Sequence, residues 1–177
     1  QSLSISFRDT GPRNSKAALL LHGWPDDCST WDGVAEKLNW GGIRTIMPNL
    51  RGFGDTRFLS GEAERTANSG VLAMDAIALM DGLGIEDFSV AGHDWGSNIA
   101  EALAVGWPDR IAAIAMLSIS PQLGGALIPA GRQARPEWWS RWFHAKGRGA
   151  GRVRKDRKGF ALAMWNNWSP PGWFDEE

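Results

Sequence analysis

The stretch Phe88-Ser89-Val90-Ala91-Gly92-His93-Asp94-Trp95-Gly96-Ser97-Asn98-Ile99-Ala100 decides how this chain folds. A short apolar run meets a glycine-flanked corner and passes into a helical pattern, so the stretch predicts a strand, a tight turn and a helix. Gly92 and Gly96 bracket Asp94 at the spacing of a nucleophile elbow, G-x-nucleophile-x-G. In such a corner small flanking residues let strand and helix approach closely, while the middle side chain stands exposed on a strained backbone. An aspartate in that place serves equally well as a helix cap, because it accepts bonds from the first N–H groups of a helix and suits the positive end of its dipole. The pentapeptide alone leaves both roles open.

Upstream, Ala17-Ala18-Leu19-Leu20-Leu21 is apolar throughout, the pattern of a strand covered on both faces in a parallel sheet, and it runs into His22-Gly23-Trp24-Pro25. Residues 43–48 predict the next strand, followed by the loop Asn49-Leu50-Arg51-Gly52-Phe53-Gly54-Asp55-Thr56. At the start of the chain, residues 3–7 alternate apolar and polar side chains, a half-buried strand that should end in a turn at Asp9-Thr10-Gly11-Pro12. A short helix is expected over residues 31–38, stopped by Gly41-Gly42. From Ser69, the positions Val71, Leu72, Met74, Ala76, Ile77, Leu79, Met80 and Leu83 follow helical spacing. Residues 87–91 form the strand that feeds the corner, the following helix reaches about Val105, and residues 111–117 are a further strand. This alternation predicts the α/β class, with a mostly parallel sheet flanked by helices.

Past Ser120 the character changes. Pro121, Gly124, Gly125, Pro129 and Gly131 mark a loop, and residues 132–145 and 153–167 predict two helices carrying Trp138, Trp139, Trp142 and Trp165, with Trp168 just beyond. Such tryptophans either pack helix faces together or line a lid over a ligand pocket. The expected division is a core over residues 1–120 and a partial helical lid over residues 121–177.

Bulk properties narrow the function classes. The chain has 177 residues, 43% hydrophobic and 22% charged, which describes a soluble globular protein with one sizeable core. A net charge of −1 gives no whole-molecule field for nucleic acid or anionic lipid, and the basic run from Lys146 to Lys158 reads as a solvated helix face. The single cysteine, Cys28, forms no internal disulfide and stands in no metal-ligand spacing. No metal or cofactor is implied. Neither a signal peptide nor a membrane span is legible, so the expected location is the cytoplasm. The chain contains 11 Trp and no Tyr.

Three separated motifs then agree: His22-Gly23-Trp24-Pro25 after one strand, Arg51-Gly52-Phe53-Gly54 after the next, and Gly92-His93-Asp94-Trp95-Gly96 after the third. In this order the chain resembles the α/β-hydrolase superfamily, and the aspartate at the elbow is similar to its epoxide hydrolase and haloalkane dehalogenase branch. The resemblance implies an α/β-hydrolase fold, here incomplete, in which Asp94 attacks a saturated carbon to form an alkyl ester that water cleaves at the aspartate carbonyl carbon. It gives the oxyanion of that second step to the backbone N–H groups of Trp24 and Trp95.

By the same resemblance the base is a histidine in a loop after the last strand, oriented by a carboxylate that also follows the elbow, and nothing after Asp94 occupies such a loop. His22 shapes the oxyanion loop, His93 points elsewhere, and His144 lies in the lid segment. That segment, Trp138-Trp139-Ser140-Arg141-Trp142-Phe143, resembles a lid helix with Ser140 where a tyrosine is common, which makes Trp139, Ser140, Trp142 and Phe143 the candidate substrate contacts. Indole N–H groups of Trp95 and a lid tryptophan would suit a halide, whereas Trp24 after His-Gly is more like the epoxide side. Asn49 stands where many relatives carry Asp. The expected substrate is therefore a small apolar epoxide. A haloalkane is the alternative, and a non-catalytic, self-associating or ligand-binding hydrolase-like protein is the third reading. An open edge at residues 111–117, or the lid helices, should make the chain a homodimer.

Overall fold

The structure is a computed structural model that describes residues 3–63, 65–118, 151, 153 and 155–172. Strand β3 (Ala17–Leu21) lies at the centre of a five-stranded sheet, with β4 (Arg44–Pro48) and then β2 (Phe7–Thr10) on one side. On its other side come β6 (Phe88–His93) and then β7 (Ile111–Leu117). β2 runs antiparallel to β4, and all the other neighbours are parallel. The sheet is mixed and mostly parallel, as the element order predicts.

The unbroken apolar run of β3 is explained by what covers it. Alternate side chains of a strand point to opposite faces. Leu19 and Leu21 join Ile46 and residues Leu72, Ala76 and Met80 of helix α2 (Ser69–Gly82) and Ile99 and Leu103 of helix α3 (Trp95–Gly106). Ala18 and Leu20 face the other way, onto Met47, Cys28, Trp31 and Ala35, the last from helix α1 (Asp32–Trp40). Leu19, Leu20 and Leu21 are wholly buried, each contributing about 1.5–3 kcal/mol by leaving water. Register matters as much as burial. Leu21 pairs with Gly92, so the end of β3 lies beside the start of the elbow.

The N-terminus departs from the sequence reading. The strand expected over residues 3–7 is split: β1 (Leu3–Ser4) pairs with a two-residue strand, β5 (Arg57–Phe58), that the sequence did not announce, and β2 starts at Phe7. The break falls at Ser6, whose N–H donates to Thr56 Oγ1 and whose carbonyl accepts from Asn49 N–H. Asp9 and Thr10, expected in a turn, belong to β2. Arg44 binds the Asp9 carboxylate through Nε and Nη2, both at 2.8 Å. Thr10 Oγ1 lies 2.7 Å from Thr45 Oγ1 and accepts from Asn39 Nδ2 at 2.9 Å. Those partners offset the cost of burying polar side chains in the strand.

Other boundaries shift slightly. The helix expected over residues 31–38 is a 3-10 turn (Cys28–Trp31), started by the Asp27 carboxylate on Ser29 N–H, followed by α1 to Trp40. β6 continues past Ala91 to His93. Asn68 caps α2 by accepting from Val71 N–H at 2.9 Å. Chain contacts divide the molecule into two units, Gln1–Ala126 and Leu127–Glu177. In the second unit helix α4 (Arg157–Trp168) starts at Asp156, whose carboxylate accepts from Gly159 N–H, within the range where the second lid helix is expected. The helix expected over residues 132–145 lies outside the described residues. Among the described residues no helix is long and apolar enough to cross a membrane.

Candidate active site at the ends of β3, β4 and β6

Three loops meet where β3, β4 and β6 end, and the elbow after β6 is the tightest of them. Asp94 sits at φ 53°, ψ −113°, a left-handed backbone that a side-chain-bearing residue adopts only when its surroundings enforce it. The enforcement comes from close approach. A Cβ at Gly92 would overlap the Gly96 carbonyl, and a Cβ at Gly96 would overlap the Leu21 carbonyl of β3. Ser97, fully buried, ties the corner to β7. Its Oγ lies 2.7 Å from Gly92 O and 2.8 Å from Leu117 O and accepts from Leu117 N–H at 3.0 Å. Asp94 N–H donates to Leu117 O at 3.2 Å.

The Asp94 side chain makes no capping bond to α3. Its Oδ1 accepts from the backbone N–H of Trp24 at 3.2 Å, so the carboxylate is turned toward the loop after β3. That loop comes close because Gly23 has no side chain: a Cβ there would lie 2.5 Å from Asp94 Cβ. Trp95, the other expected oxyanion donor, is the first residue of α3. It also lines a cleft of about 240 Å³ with Ala67, Asn68, Ser69, Leu72 and Asn98.

His22 is wholly buried with both ring nitrogens engaged. Leu50 N–H donates to Nε2 at 3.1 Å, which places the ring proton on Nδ1, from where it donates to Gly23 O at 2.8 Å. Burial pushes its pKa below the usual histidine value and keeps it neutral, the Gly23 carbonyl opposing only in part. A ring held on both sides fixes loop geometry and has no nitrogen left over for a water. Asp26, half-buried, has its pKa raised by burial, which the nearby His93 and His22 partly offset.

The loop after β4 is anchored independently. Arg51 reaches Asp75 of α2 through Nε at 2.6 Å and Nη2 at 2.7 Å, and Nη1 donates to Thr66 O at 3.0 Å. Asn49 Oδ1 accepts from Cys28 N–H at 3.0 Å, and Nδ2 donates to Ser6 Oγ at 3.2 Å. The amide thus ties the loop after β3 to the N-terminal segment. Phe53 stands between its neighbours edge to face, 5.0 Å from the His22 ring at 73° and 6.1 Å from the Trp95 ring at 81°.

The structure therefore brings together Asp94, Trp24 and Trp95, while Trp139, Ser140, Trp142, Phe143 and His144 lie outside the described residues. Ser97, Asp26 and Phe53 were missed in the sequence reading. Two of them carried a signal: Asp26 directly follows the His-Gly-Trp-Pro motif, and Phe53 lies inside Arg51-Gly52-Phe53-Gly54. Among the described residues no group of His, Cys, Asp or Glu side chains could hold a metal ion.

The sequence profile of the alpha/beta hydrolase fold matches residues 17–156. The chain belongs to that family. Among relatives of this chain, Epoxide hydrolase 2 of Siraitia grosvenorii is 38% identical over 118 residues, 67% of this chain and 35% of that protein. A haloalkane dehalogenase of Psychrobacter cryohalolentis is 29% identical over 140 residues, 79% of this chain and 43% of that protein. A crystal structure of a candidate epoxide hydrolase from Klebsiella pneumoniae superposes with a TM-score of 0.83 at 37% identity, covering 99% of this chain and 59% of that one. The match thus covers about a third, 35%, of the length of the curated epoxide hydrolase.

Proposed function

We propose that this chain carries the nucleophile of an epoxide hydrolase, with Asp94 attacking a saturated carbon. The observation that carries the reading is the Asp94 carboxylate, held on a left-handed elbow with Oδ1 on the Trp24 N–H instead of capping α3. With one oxygen fixed, the other forms the new bond to an epoxide carbon. The carbon–oxygen bond of the ring breaks, and its electron pair leaves with the epoxide oxygen, which takes a proton. The product is an ester of Asp94. Water then adds to the ester carbonyl carbon, with its proton passing to a base, and the oxyanion on the Asp94 oxygen rests on the N–H groups of Trp24 and Trp95. Collapse releases a diol and restores the carboxylate. Each such donor is worth about 2.7–4 kcal/mol where one has been removed. Burial and the Leu50 N–H set His22 aside as that base.

In this proposal residues 121–177 form a cap, Trp139, Ser140, Trp142 and Phe143 contact the substrate, and the protein works in the cytoplasm. Intact-mass spectrometry after incubation with styrene oxide tests the nucleophile: one adduct is expected, lost in Asp94→Ala. An adduct of equal yield in that variant would move the reactivity to Cys28 or a histidine and end the reading. Faster labelling by a primary alkyl bromide would favour the dehalogenase alternative, which the 29% identity to a haloalkane dehalogenase supports. The chain is also proposed to form a homodimer through β7, because Ile114 and Leu117 are 44% and 45% exposed on a strand with a neighbour on one side only among the described residues.

A further inference from the structure

Phe53 occupies a place that its loop goes to unusual lengths to create. Gly52 and Gly54 on either side adopt left-handed φ values of 86° and 49°, which a side chain would resist. Two turn bonds close around it, Phe53 N–H to Leu50 O at 3.0 Å and Thr56 N–H to Phe53 O at 3.1 Å. The ring is only half-buried, at the margin of the core, so core filling does not explain this backbone. What the ring touches does. One side meets His22, whose nitrogens are fixed by Gly23 O and Leu50 N–H, and whose chain leads through Gly23 to the Trp24 N–H on Asp94. The other meets Trp95, the residue directly after Asp94. Both contacts are edge to face, an arrangement that depends on orientation as well as distance.

We infer that Phe53 is a positioning residue that sets the Trp24 and Trp95 peptides against Asp94 through one aromatic bridge, His22–Phe53–Trp95. In this arrangement the loop after β4 acts through the two loops beside it. Arg51, locked on Asp75 and Thr66, keeps the bridge from swinging with its loop. A side chain of similar bulk without a ring fills the space and loses the orientation. The consequence for rate rests on the nucleophile reading above. The consequence for the geometry of the two peptides does not.

The test compares Phe53→Leu, Phe53→Met and Phe53→Tyr with the unaltered chain, in two measurements. The first is the rate of Asp94 labelling over a range of styrene oxide concentrations. The second is the backbone amide resonances of Trp24 and Trp95, with Leu19 and Ile46 of the core as references. For the Leu and Met variants the maximal labelling rate should fall about 10-fold while half-saturation stays within about twofold, less than outright loss of an oxyanion donor. Their Trp24 and Trp95 amides should move and the Leu19 and Ile46 amides should not, and the Tyr variant should restore both rate and resonances. Unmoved Trp24 and Trp95 amides, equal movement at Leu19 and Ile46, or a Tyr variant that behaves like Leu would each overturn the bridge. Should Leu fail to fold, Met and Tyr decide between them. An unaltered chain that takes no label would end the nucleophile reading, and the amide comparison would still decide the bridge.

Discussion

Among the described residues, the two margins of the sheet are built on opposite principles. β2 carries Arg8 and Asp9 in its middle, each answered across the molecule, Arg8 by Asp32 and Asp9 by Arg44. β7 is Ile-Ala-Ala-Ile-Ala-Met-Leu, without one charged side chain, and most of it is exposed. Charges on an outer strand discourage further strands from pairing, whereas an unbroken apolar strand is the pattern of a sheet interior. β2 is thus a margin by design, and β7, with one neighbour among the described residues, has the composition of β3. The difference teaches that a strand's sequence reports the neighbours it is suited to.

The comparison breaks most sharply at Arg44. Its side chain and that of Asp9 are 9% and 15% exposed, so Arg44→Ala leaves a carboxylate with little water and no partner. The expected loss is about 2–3 kcal/mol in urea unfolding, toward the low side for a buried pair because the site is near the margin. A loss under about 0.5 kcal/mol would mean that Asp9 is rescued by solvent. On the other margin, Ile114→Lys should weaken self-association at least about tenfold, or about 1.4 kcal/mol, in analytical ultracentrifugation. A chain monomeric with or without the substitution would show that β7 is not a pairing surface.

The smallest effect is in acid. The Arg44 guanidinium holds the Asp9 carboxyl below its ordinary pKa by hydrogen bonding, against the raising effect of burial. A lowered carboxyl contributes stability that is complete above its unfolded value near 3.9 and is lost as pH falls through the folded value. The unfolding free energy should therefore fall below about pH 4 by up to about 1.4 kcal/mol per pH unit from this group, and Arg44→Ala should flatten that part of the profile.

What was legible in the sequence follows from how local its cause is. The apolar run of β3 and the glycine spacing around Asp94 state their constraints within a few residues, so the central strand and the elbow could be placed. β2 was misread because the residue that makes Asp9 acceptable in a strand, Arg44, lies far along the chain. β5, two residues long, is too short to leave a periodic signature. The cap and nucleophile readings of Asp94 could not be separated locally, since both want an aspartate before a helix. The backbone at Asp94 and the N–H of Trp24 bear on that choice, and neither is written in the pentapeptide. Gly52-Phe53-Gly54 likewise announces a turn without saying which rings the phenylalanine meets.

The bond from Trp24 to Asp94 joins positions 70 apart, and β3 must lie in register with β6 before either peptide faces the other. Contacts of that span form only after the chain has closed a long loop, which makes them slow to arrive during folding. A fragment carrying only the elbow contains every atom of the carboxylate and lacks the Trp24 N–H that holds it. The proposed reactive centre is consequently a clock for assembly: it starts only when β3 and β6 are paired.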